Sequence, residues 1–203
     1  MTQAAVSPRK GGGPGKITYE QFLQCYEGIR AEWVDGEVEL KGPGFSSHNS
    51  LTGFLLRTMS DFIEEHSLGS LFFLAFQMKL PAGGSGREPD LVFVRSERLD
   101  LVQRQFIDGP ADLVVEIVSP GSQDKDRNVK FREYEAGGVA EYWLIDPDRR
   151  TAEFYVLYEG HFVLREPDPN DIYRSVAVDG FWIRVSWLWE PPLQKDVRRE
   201  LGI

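Results

Sequence analysis

The chain has 203 residues, 41% of them hydrophobic and 27% charged, the balance of an ordinary globular protein large enough to bury its own core. Its 32 acidic residues outnumber 23 lysines and arginines, for a net charge of −9. That excludes a polycation that coats nucleic acid, but not an enzyme that reaches nucleic acid through acidic metal ligands. The one cysteine, Cys25, excludes an internal disulfide framework and a cysteine-based zinc site, and points to a reducing, cytoplasmic setting.

Residues 1–16 carry Pro8, Arg9, Lys10, three consecutive glycines, Pro14 and Gly15. They read as a flexible tail, ahead of one folded domain over residues 17–203. No run approaches the ~18 apolar residues that span a bilayer, so no membrane segment is expected. Thr18 with Gln21 forms a capping-box pattern for a short helix that Gly28 ends. Asp35-Gly36, between two alternating runs, predicts a hairpin. Ser46 or Ser47 can cap a longer helix, whose Leu51, Phe54, Leu55, Met59, Phe62 and Ile63 recur at helical spacing, and Gly69 closes it.

Strand signals follow at 70–76, continuing over 78–80, and after a Gly-rich loop at 91–94. Residues 112–118 are nearly all apolar, as in a central strand covered on both faces. A charged helix is predicted from about Asp124 to Ala136, then a strand at 140–145. Two more strands, 152–158 and 161–165, flank a Glu159-Gly160 turn. The C-terminal part, with Trp182, Trp187 and Trp189, is expected to pack over the sheet. The order predicts an α/β (α+β) fold with helices against a sheet.

Glu116 is the charge that needs explaining, because its neighbours Leu113, Val114, Val115, Ile117 and Val118 are all apolar. An ionised carboxylate there costs several kcal/mol unless it is paired or binds metal. The structural reading is a buried ion pair to Arg87 or Lys130. The functional reading adds Asp90, which opens the strand expected beside Glu116, and Lys130 on the following helix. Two carboxylates and the main-chain carbonyl of Ile117 are hard oxygen ligands for Mg²⁺ or Mn²⁺. Lys130 would hold and help deprotonate a metal-bound water, which is the apparatus for phosphodiester hydrolysis.

Glu32-Trp33-Val34-Asp35-Gly36-Glu37, His48-Asn49, Pro89-Asp90, Val115-Glu116-Ile117-Val118-Ser119-Pro120, Asp126, Lys130, Tyr134 and Gly138 to Pro147 stand in an ordered set. Over roughly residues 19–157 this set resembles the Uma2-type restriction-endonuclease family of the PD-(D/E)XK nuclease superfamily. The resemblance implies a restriction-endonuclease-like core, with a central mixed sheet flanked by helices, and an Mg-dependent nuclease acting on DNA. It implies Asp90 and Glu116 as metal ligands and Glu32 as an additional or water-mediated one. The superfamily's lysine two positions after the second acid is replaced here by Val118, and the family pattern moves it to Lys130.

His48 is read either as a helix cap or as a phosphate contact. Lys125, Arg127 and Arg132 are candidate phosphate contacts or a solvated helix face. Asp124 and Asp126 are read as partners of a helix dipole, and His66 and His161 as surface residues. Cutting both strands of a duplex favours a homodimer. Two alternatives remain: a nuclease fold kept as a catalytically silent binding module, and a binder lined by the tryptophans.

Overall fold

The computed structural model describes residues 15–42, 45–74, 76–81, 84–119 and 121–203, so the expected tail lies almost wholly outside the described residues. The capping box at Thr18 forms: Gln21 N donates to Thr18 Oγ1 at 3.2 Å and Thr18 N to Gln21 Oε1 at 2.9 Å. It starts α1 (Tyr19–Cys25). Strands β1 (Ala31–Val34) and β2 (Glu37–Leu40) form the hairpin. Asp35 and Gly36 both take left-handed backbone angles, φ 47° and 85°, as a type I′ turn requires.

The long helix α2 (Ser46–Glu65) buries the expected apolar stripe. Its N-cap is Phe45, which makes no side-chain cap bond; Ser46 and Ser47 lie inside the first turn. Its end also differs, because Ser67 takes the left-handed turn and Gly69 opens the next strand. That strand, β3 (Gly69–Phe73), does not continue into β4 (Gln77–Lys79), which joins a different sheet.

Next come β5 (Gly86–Arg87), β6 (Leu91–Arg95), a 3₁₀ turn at Ser96–Leu101, β7 (Phe106–Asp108) and β8 (Leu113–Ile117). The predicted charged helix is interrupted: Lys125–Lys130 is a π-helical turn feeding α3 (Phe131–Gly137). Strands β9 (Glu141–Asp146), β10 (Thr151–Tyr158) and β11 (His161–Leu164) follow. The chain closes with β12 (Ile172–Arg174), β13 (Trp182–Arg184), a 3₁₀ turn and α4 (Gln194–Leu201).

A six-stranded mixed sheet, in the order β11-β10-β9-β8-β6-β3, is the centre of the fold. Only β8 and β9 pair in parallel in it. Side-chain alternation then sorts the sheet into two faces. Leu113, Val115 and Ile117 of β8 pack with α2, α4, Trp143 and the C-terminal layer. Val114 and Val118 point to the opposite face, with Tyr134 of α3 and Met78, Leu80 and Ile107 near the second sheet. That second sheet has five strands, β2-β1-β5-β4-β7. Both faces of β8 are covered, as its continuous apolar run predicts.

The aromatic set is structural. Trp143 is buried, with Phe154 and Tyr173 at 5.2 and 5.5 Å between ring centroids. Trp182 and Trp189 pack against the same core cluster and Trp187 belongs to it.

Candidate active site

The parity of β8 decides where Glu116 goes. It shares a face with Val114 and Val118, so its carboxyl is driven between the two sheets toward α3, with 2% of the residue exposed. Antiparallel pairing of β6 with β8 sets Leu91 opposite Val115. Asp90, one residue earlier, therefore lies beside the C-terminal end of β8, where its Oδ2 accepts from Ile117 N at 2.7 Å. The same oxygen lies 3.0 Å from His48 Nε2 on the first turn of α2.

The π-helical turn supplies the cation. Lys130 Nζ donates to Glu116 Oε1 at 2.7 Å and lies 3.2 Å from both Glu32 Oε1 and Asp126 Oδ1. Tyr134, one turn on, donates its hydroxyl to the same Glu116 oxygen at 2.7 Å. Lys130 is only 3% exposed, so three carboxylates around one ammonium are what keep it ionised. A π-helical turn widens the backbone spiral and is frequent at functional sites.

Glu32 of β1 is held by cations on both oxygens. Arg87 reaches Oε2 at 3.0 Å, Lys125 reaches it at 2.5 Å, and Lys130 approaches Oε1. Arg87 is itself clamped by Glu133 of α3 through two bonds of 2.6 and 2.7 Å. Glu32 thus ties the five-stranded sheet to the π-turn. An additional ligand role would need it to leave these partners.

Charge and burial set the protonation of the group. Burial pushes the Glu116 carboxyl up to about 7, against the pull of Lys130 and with Asp126 and Asp90 pushing it further up. Burial acts to lower Lys130, but Glu116, Tyr134, Glu32 and Asp126 hold it well above its ordinary range. Asp90 is raised by burial, yet the His48 hydrogen bond, the charges of Lys41 and His48 and the Ile117 amide leave it lowered overall. Glu32 is likewise opposed by burial but lowered by Lys130, Lys41, Arg87 and Lys125.

A cleft of about 390 Å³ opens over these groups and is lined by Asp90, Glu116, Ile117, Asp126, Lys130 and His48, among others. Lys125 lines it as well; Arg127 and Arg132 do not. Arg127 turns away to Glu153 and Asp146, and Arg132 is exposed to solvent. Instead, Arg30 and Lys41, which the sequence did not single out, line the cleft from the β1–β2 side. Asp126, expected at a helix terminus, is 2% exposed on the π-turn, and its Oδ1 makes no hydrogen bond. Its signal was the spacing of Asp126, Lys130 and Tyr134, which sets the three on one helical face.

The donor set suits a divalent ion. Asp90 Oδ1 and Glu116 Oε2 take no hydrogen bond among the described residues, and both side chains and Ile117 face the cleft. Mg²⁺ is ordinarily held by one or two carboxylates, with water and substrate phosphate completing the shell. Among the described residues, no group of three or more His, Cys, Asp or Glu side chains gathers as a self-sufficient metal cage.

The mixed sheet flanked by helices matches a nuclease fold. The family described as "Uma2: Putative restriction endonuclease" matches residues 19–186, and the chain belongs to it. Among solved structures, the chain is similar to a crystal structure described as a putative nuclease belonging to DUF820, from Anabaena variabilis ATCC 29413. The two share 16% identity with a TM-score of 0.71, over 86% of this chain and 98% of that one, a likeness of fold. No curated protein matches the chain. Family and fold together support a nuclease. Among the described residues no helix is long and apolar enough to cross a membrane.

Proposed function

We propose that residues 17–203 form a divalent-metal-dependent endonuclease of the PD-(D/E)XK type, acting on phosphodiester bonds in DNA. The observation that carries this reading is the meeting of Asp90 and Glu116 at the floor of one cleft, each with an oxygen uncommitted among the described residues, beside Lys130. Asp90, Glu116 and the Ile117 carbonyl would hold Mg²⁺ or Mn²⁺. A bound ion supplies Lewis-acid polarisation of the phosphoryl oxygen and an acidified water.

Lys130 is a cation among three carboxylates, so it donates hydrogen bonds to the attacking water and to a phosphoryl oxygen rather than accepting a proton. Water attacks phosphorus and gives up a proton to solvent, the ester P–O bond breaks, and the leaving oxygen takes a proton from solvent water. Tyr134 and Asp126 keep the lysine at its post, while Glu32 holds the β1 wall against it. His48 fixes the orientation of Asp90 through Oδ2. Residues 17–203 as one cytoplasmic unit, and a homodimer bringing two sites to a duplex, complete the proposal.

A second reading has one observation in its favour. Lys130 lies on Glu116 Oε1, and such a pair is also what a silent binding module would keep as a structural tie. Calorimetric titration with Mn²⁺ to millimolar concentration separates the two. Saturable binding that is lost in Asp90→Ala and in Glu116→Ala supports the metal site; equal weak binding in all three proteins leaves the ion pair structural.

A further inference from the structure

The mouth of the cleft is built differently from its floor. The floor carries buried acids: Asp90, Glu116 and Asp126 are 4%, 2% and 2% exposed. At the mouth stand two large apolar side chains turned to solvent, Leu40 at 54% and Phe45 at 53% exposed. Around them are cations. Arg30 and Lys125 each keep 31% of the side chain exposed. Lys41 joins Arg30 through a backbone hydrogen bond of 3.0 Å. Lys41 Nζ donates to the main-chain carbonyl of Glu88 at 2.6 Å and has no acidic side chain within 4.0 Å among the described residues.

We propose that this mouth is a binding site for an unpaired nucleic-acid strand. One base lies on the Phe45 ring against Leu40, and the flanking phosphates meet Lys41, Arg30 and Lys125. The inference deepens the nuclease reading and rests on it, since it names the form of the substrate.

Three features carry it. Single exposed apolar residues need no explanation, but two lining one mouth beside Lys41 form a surface with a preference. An aromatic face beside positive charge is how proteins take hold of bases and backbone without reading sequence. Arg30 is paired with Glu88, and Lys125 with Glu32 and Glu39, so Lys41, which has no acidic partner among the described residues, is the cation most available to a phosphate.

Depth gives the third feature. The carboxylates lie below the mouth in a space of about 390 Å³, the size of a small-ligand pocket. An unpaired strand can bend a phosphodiester down to them. In a duplex the bases are paired and stacked, so none is free to lie on Phe45.

The test uses fluorescence anisotropy in chelator, so that nothing is cleaved. The probes are a labelled oligothymidylate of about twelve nucleotides and the same strand paired with its complement. The single strand is expected to bind at least about tenfold more tightly than the duplex. Phe45→Ala should weaken that binding by about tenfold and Phe45→Trp should keep it. Phe45 is exposed, so truncating it leaves the core intact. Lys41→Ala should flatten the slope of log K against log salt by about 0.7 for each phosphate that the variant no longer neutralises.

Equal binding of strand and duplex, or an unchanged Phe45→Ala, overturns the proposal. Manganese calorimetry on the same proteins keeps the two readings apart. If Mn²⁺ binding needs Asp90 and Glu116 while oligothymidylate ignores Phe45, the mouth is not the site and the nuclease reading stands. If the reverse holds, strand binding stands and metal catalysis falls.

Discussion

At the scale of single residues, the site depends on how a buried acid shares its proton. The Glu116 carboxyl, pushed up to about 7 by burial, must ionise to bind metal. Protons therefore compete with the ion. Mn²⁺ affinity should rise with pH, by up to about tenfold per unit below 7, and level off above it. Calorimetry from pH 5.5 to 8.5 reads this directly. Lys130→Met removes the cation that pulls this carboxyl down, so the same rise should move to higher pH. The sign for stability is opposite. A folded pKa above the unfolded one of 4.5 contributes stability at low pH that is lost as pH rises through 7. Asp126→Asn tests the missed acid: it loosens Lys130 without touching Asp90. Cleavage should fall roughly 10- to 100-fold, measured in single turnover, while Mn²⁺ binding persists.

Elements act by bringing these residues to one place. β8 carries Glu116 on the face that looks toward α3, and a slip of one residue in its pairing would turn it to α2. The π-turn carries Asp126 and Lys130, and α3 carries Tyr134 and Glu133 behind them. β5 is only two residues long, yet it sets Arg87 beneath Glu32. Gly86 makes that approach possible, because a Cβ there would sit 2.3 Å from the buried ring of Tyr19. Gly86→Ala should therefore destabilise by about 1–3 kcal/mol. It should also weaken the Arg87–Glu32 tie, seen as a lowered Tm together with reduced Mn²⁺ binding.

Over the whole molecule, a C-terminal layer closes the face of the central sheet opposite the cleft. Glu141 at the start of β9 fastens it. Its carboxylate accepts from Trp143 Nε1, Tyr173 OH, Ser175 Oγ and the amides of Val176 and Ala177, at 2.6 to 2.8 Å. Glu141→Ala would orphan five donors at a fully buried position. A loss of about 3–5 kcal/mol is expected, or a fall in Tm of roughly 10 °C, read by thermal unfolding. The cleft should keep its Mn²⁺ binding below that temperature, since Glu141 lies outside it. Charge is also organised at this scale: in a chain of net charge −9, the cleft lining sets Arg30, Lys41, Lys125 and Lys130 against Glu32, Asp90, Glu116 and Asp126.

The sequence by itself determined what depends on neighbours along the chain. The Thr18–Gln21 capping box, the Asp35-Gly36 turn, the stripe of α2 and the covered strand around Glu116 are local patterns of 2.0 or 3.6 residues. The ordered motifs named Asp90, Glu116 and Lys130 because residue type and spacing persist in one dimension. What only the tertiary structure decided is which partner each charge takes. Arg87 was a candidate for Glu116 but goes to Glu32 and Glu133, while Lys130 takes Glu116. The split of β3 and β4 between two sheets, the π-turn inside a predicted helix and the burial of Asp126 belong here too. So does the arrival of Arg30 and Lys41 at the cleft in place of Arg127 and Arg132. A long, flexible cation has many acids within reach of its sequence pattern. Only strand parity and the packing of two sheets against α3 select among them, because desolvation makes the unpaired arrangements too costly.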